Sequence, residues 1–214
     1  MARYVTEVIG TFFLVFTIGM VVVNGVATAP IAIGSVLMVM VFMGGHISGA
    51  HYNPAVTIAV FLRGAMSRGD VVPYIASQIL GAWAAAGVVQ VITGQTFAPA
   101  PGAGHTSGAA LLGEILVTFA LALVILNVAT AKATEGNSYF GLAIGFTVLA
   151  GAYTIGPVSG GAFNPAVGIG PTMVDGLAGG GTFGNLWIYI VGPVLGGLAA
   201  VPVFRLQHRE AAPA

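Results

Sequence analysis

Ser48-Gly49-Ala50-His51-Tyr52-Asn53-Pro54-Ala55-Val56 is answered, 111 residues further on, by Ser159-Gly160-Gly161-Ala162-Phe163-Asn164-Pro165-Ala166-Val167. Six of the nine positions are identical, so the pair is a repeat and not a chance turn signal. Asn is a preferred N-cap, and Pro is favoured at the first helical position, where its missing N–H costs nothing. Each copy therefore predicts a helix that starts at Asn-Pro. The apolar runs that follow, Ala55–Leu62 and Ala166–Val174, are too short for a hydrocarbon core that takes about 20 residues to cross. Each is expected to be a half-helix that begins inside a membrane and leaves by the face it entered. Irregular backbone at that depth is tolerated only where it is buried in protein or lines a wet cavity.

The rest of the chain supplies the membrane context. Only 6% of the 214 residues are charged, six basic and six acidic, against roughly 25% in soluble domains. Twelve charges cannot solvate a globule of this size, which excludes a soluble enzyme or a nucleic-acid binder. With no Cys there is no disulfide framework and no thiolate for nucleophilic or metal chemistry. Six apolar stretches predict full spans at Tyr4–Gly25, Pro30–Gly45, Val71–Gly94, Ala109–Ala131, Ser138–Ile155 and Asn185–Phe204. The basic residues Arg3, Arg63, Arg68, Lys132, Arg205 and Arg209 all fall on one side of these spans. The positive-inside rule makes that side cytoplasmic, together with both termini.

The repeat extends upstream of the motif. Glu7 with Gly10-Thr11-Phe12 parallels Glu114 with Thr118-Phe119. A single transmembrane domain over 1–214 then divides into halves of about 1–94 and 109–204, three spans each. Three is odd, so the second half crosses in the opposite sense, and such inverted repeats place a substrate path near the midplane. The two half-helices meet there with their partial positive ends facing one point, which disfavours cations. Each capping Asn spends its carboxamide oxygen on the helix and is expected to keep its NH₂ donors free for a neutral solute. Glu7 and Glu114, the only acids within the spans, are read as supports accepting hydrogen bonds from the two loops.

The paired Asn53-Pro54-Ala55 and Asn164-Pro165-Ala166 motifs, the Glu-x-x-Gly-Thr-Phe start, Gly45-His46-Ile47-Ser48-Gly49-Ala50-His51, Gln78 with Gly81, and Gly192-Pro193 together resemble the aquaporin, or major intrinsic protein, family. The resemblance covers essentially the whole chain. It implies an all-α membrane protein of six transmembrane helices and two re-entrant half-helices, assembled as a homotetramer in a plasma or bacterial inner membrane. It implies passive flow of water or small neutral solutes through the lipid bilayer, with no cofactor. It also implies an outer filter of four positions, which map here to Ile33, Ala152, Gly161 and Val167. Val167 stands where the family usually keeps an Arg.

An apolar filter with no fixed cation is expected to pass solutes larger than water: glycerol, urea, or neutral metalloid hydroxides such as arsenous acid. A glycerol-specialist reading is weakened because Gly168 stands where that branch usually has an Asp. The alternatives are a water-only channel, a secondary transporter built on inverted repeats, or a membrane junction protein. A transporter needs ion-coupling acids at broken helices, and only Glu7 and Glu114 are available. His46 and His51 are pore-lining candidates; a metal pair lacks further ligands.

Overall fold

The computed structural model describes residues 1–181 and 183–208. Among them eight α-helices follow in chain order: α1 (Ala2–Val23), α2 (Ala29–Ser48), α3 (Pro54–Arg63), α4 (Arg68–Thr93), α5 (Ser107–Thr130), α6 (Phe140–Ser159), α7 (Pro165–Leu177) and α8 (Leu186–Gln207). The six long ones are apolar enough to cross a membrane. The short ones, α3 and α7, have 10 and 13 residues. At 1.5 Å per residue they reach only about 15 and 20 Å.

Two spans run further than hydropathy alone indicates. Helix α2 continues to Ser48 and ends on Gly49, whose φ of 82° supplies a left-handed cap. Helix α6 continues past Ile155 to Ser159, with Pro157 held in its last turn. A proline so placed reads as a stop in sequence, yet its missing N–H and ring affect only the preceding turn.

The halves are arranged alike. Helix α1 packs on α4 as α5 packs on α8, and each short helix crosses to the other half, α3 against α8 and α7 against α4. Helices α2 and α6 cross between the halves, where Gly34 and Gly145 let the backbones meet. A Cβ on Gly34 would lie 2.7 Å from the Gly145 carbonyl, and one on Gly145 would lie 2.5 Å from that of Gly34. Gly145→Ala should therefore cost about 1–3 kcal/mol through overpacking. The loss would be read as a lower melting midpoint in detergent, and an unchanged midpoint would mean that the crossing has slack.

Arg3, Arg63, Arg68, Lys132 and Arg205 sit at helix ends on one side of the bundle. Arg3 pairs with Asp70 at 2.7 Å, Arg63 Nη2 donates to the Thr130 carbonyl at 2.9 Å, and Arg205 donates to the Leu62 carbonyl at 2.6 Å. Arg209 lies outside the described residues.

Candidate functional site

Each short helix is entered through a loop that doubles back inside the bundle, and a buried carboxylate gathers the loop's donors. Glu7, fully buried, accepts from Ser48 Oγ at 2.7 Å, His51 N at 3.0 Å, Tyr52 N at 2.7 Å and Gln78 Nε2 at 2.8 Å. Glu114 accepts from Ser159 Oγ at 2.7 Å, Ala162 N at 3.0 Å and Phe163 N at 2.5 Å. Backbone N–H groups at this depth have no water to turn to, so leaving one unpaired is costly.

These bonds hold strained backbone. Ala50, Tyr52 and Phe163 take φ of 51°, 48° and 50°, a left-handed region that costs a residue with a Cβ about 1–2 kcal/mol. Packing completes the clamp. The Tyr52 ring lies over Gly10 and Gly44, neither of which has room for a Cβ, and its hydroxyl donates to the Met40 carbonyl at 3.0 Å.

The two Asn-Pro starts form as their chemistry requires. Asn53 and Asn164 are extended, at φ −155° and −162°, and their side-chain oxygens accept from Ala55 N and Ala166 N. Neither amide nitrogen is wholly free, contrary to the expectation from capping alone. Asn53 Nδ2 donates to the Phe163 carbonyl at 2.9 Å, and Asn164 Nδ2 donates to the Tyr52 carbonyl at 2.8 Å. Each Asn thus ties its helix start to the opposite loop, which leaves one N–H of each NH₂ for a passing solute.

Both Asn residues line a central cavity of about 30 Å³, space for about two waters. Ile33, Gly161 and Val167 line it as well, among mostly apolar side chains. Ala152 does not. It is half-buried one turn beyond Val148 on the same face of α6, and Val148 lines the cavity. Pro54, Ala55, Pro165 and Ala166 are buried behind the lumen as the first turns of α3 and α7.

The two histidines separate. His51 lines the central cavity, whereas exposed His46 faces a wider space of about 600 Å³ at the basic end of the bundle. His51 also borders a second wide space there, of about 590 Å³. A narrow stretch therefore opens onto a broad vestibule at the basic end.

Sequence reasoning missed the tyrosines that close each loop. Tyr74 donates to the Ser48 carbonyl at 2.8 Å, and Tyr189 donates to the Ser159 carbonyl. The signal was present as Tyr74…Gly81 and Tyr189…Gly196, a shared spacing. Gly81 rests on the backbone of Val8 and Phe12 as Gly196 rests on that of Ile115 and Phe119. Gly160 is set against the segment that joins α4 to α5. A Cβ there would lie 2.8 Å from the Ala100 carbonyl, so it makes room for the outer loop.

The major intrinsic protein family model matches residues 1–204. Aquaporin NIP1-1 of Zea mays is 38% identical over 214 residues, which cover 95% of this chain and 74% of that one. Glycerol uptake facilitator protein-like 6 of Lactiplantibacillus plantarum is 37% identical, over 98% of this chain and all of its own length. Among solved structures, the aquaglyceroporin from Plasmodium falciparum superposes with a TM-score of 0.85 over 96% of this chain and 98% of that one. At 22% identity that last likeness is one of fold.

Proposed function

As the chain belongs to the major intrinsic protein family, and is a multi-pass membrane channel for water and small neutral solutes rather than an enzyme, we propose that its path runs through the cavity between Asn53 and Asn164. On this reading Ile33, Gly161 and Val167 form the outer filter, with Ala152 at its rim. Glu7 and Glu114 act as loop supports and take no part in proton relay.

The range of solutes extends beyond water to glycerol, urea and neutral metalloid hydroxides. The observation that carries this is the filter itself: an Ile, a Gly and a Val on the lumen, none able to hold a fixed charge. Gly161, at φ 68°, suits a left-handed turn in which a Cβ would lie 3.1 Å from Gly156 Cα, and it adds no side chain to the filter. Cations are turned away by the facing N-termini of α3 and α7, whose partial positive charges meet at the Asn pair.

A second reading, a channel for water alone, draws on the small enclosed volume of about 30 Å³. Stopped-flow light scattering on proteoliposomes, with water, glycerol, urea and arsenous acid in parallel, separates the two. The expected result is flux of water and of at least one larger solute. Water flux with all three others excluded would overturn the broad reading. The proposal is completed by a homotetramer in a plasma or bacterial inner membrane, with cytoplasmic termini; the basic end of the bundle supports that orientation.

A further inference from the structure

We infer that His51 is held as the neutral Nδ1–H tautomer, with bare Nε2 as a hydrogen-bond acceptor at the inner end of the lumen, so that the pore favours solutes carrying an O–H or N–H donor. The inference rests on the channel reading above and names its solute class. It follows from counting protons around Thr57.

Thr57 Oγ1 has three neighbours: Gln78 Nε2 at 2.9 Å, His51 Nδ1 at 3.1 Å and the Asn53 carbonyl at 3.1 Å. The Gln78 amide is oriented by Glu7, since only its NH₂ can face a carboxylate oxygen at 2.8 Å. Its second N–H therefore donates to Thr57. The hydroxyl has one proton to give and two lone pairs. If that proton goes to Nδ1, the Asn53 carbonyl loses the hydroxyl, and two bonds form at Thr57. If it goes to Asn53, Nδ1–H donates to the remaining lone pair, and all three bonds form. Buried polar groups favour the fuller set. The tautomer follows from the bond made at the other ring nitrogen.

Nε2 is then the free end. Among the described residues it has no partner, and it does not count among the buried unpaired side-chain atoms. Gly49 keeps it open, because a Cβ at that position would come within 3.3 Å of it. His51 and Ile125 line both the central cavity and the inner vestibule, and of the two only His51 carries a polar side chain. A solute leaving the Asn donors, where its oxygen accepts, meets an acceptor at His51 and must donate. Hydroxylic solutes satisfy both ends, whereas acceptor-only solutes leave Nε2 unpaired.

The test joins spectroscopy with flux. In bilayers, ¹⁵N-histidine NMR, with His51 assigned by difference against His51→Gln, should show a protonated Nδ1 and a bare Nε2. Thr57→Val should move the proton to Nε2 and lower glycerol flux roughly two- to tenfold, the worth of one hydrogen bond. Thr57→Ser should restore both readouts. A protonated Nε2 in the wild-type protein would overturn the inference while leaving the channel reading intact. Unchanged glycerol flux in Thr57→Val despite the tautomer change would overturn the solute preference. Absent water and glycerol flux in wild type would overturn the channel reading, and the spectrum would still decide the tautomer. Should Thr57→Val fail to fold, the wild-type and Thr57→Ser spectra decide it.

Discussion

Val167→Arg is expected to cut glycerol flux about tenfold or more while water flux persists. Tenfold corresponds to about 1.4 kcal/mol of added barrier. Val167 is 3% exposed and lines the central cavity of about 30 Å³. A guanidinium there fills volume that a three-carbon solute needs, and it adds donors that water can satisfy but a carbon backbone cannot. Parallel stopped-flow traces for water and glycerol on matched proteoliposomes give the ratio directly. Equal glycerol flux in wild type and variant would remove Val167 from the filter.

The second large effect is an asymmetry between the two loop supports. Glu7→Gln puts an NH₂ where one carboxylate oxygen accepted two donors, Tyr52 N and Gln78 Nε2. Two orphaned buried donors cost about 2–6 kcal/mol. Glu114→Gln can keep its oxygen where Ser159 and Ala162 donate and lose only the bond from Phe163 N, for about 1–3 kcal/mol. The Glu7 variant should therefore melt at a clearly lower temperature in detergent and lose more flux than its counterpart. Equal midpoints, both near wild type, would mean that neither carboxylate supports its loop.

The spans and the half-helices were legible in sequence, and the two buried acids stood out, because each leaves a local mark: an apolar run, an N-cap followed by Pro, an acid with no business in hydrocarbon. What escaped depends on geometry between distant segments. Nothing in Tyr52 or Phe163 announces a left-handed backbone, a state usually left to Gly. The Tyr74 and Tyr189 pair was hidden because the third spans repeat at an offset of 115 while the motifs repeat at 111. Ala152 was placed by spacing along the chain, and spacing does not say how far along α6 the enclosed lumen extends. The capping rule assigned the Asn oxygens correctly but could not reveal a carbonyl from the other half waiting for each nitrogen.

That exchange of Asn amides sets an order of events in time. Asn53 and the Phe163 carbonyl are 110 residues apart, and Asn164 and the Tyr52 carbonyl 112. As the chain emerges from the ribosome, the first half can insert its three spans and gather its loop on Glu7. Its Asn53 donor and Tyr52 acceptor then stay unmatched until α6 and α7 arrive. The constriction thus cannot be completed before the second half is made, and a half-made chain holds no finished pore through which the membrane leaks.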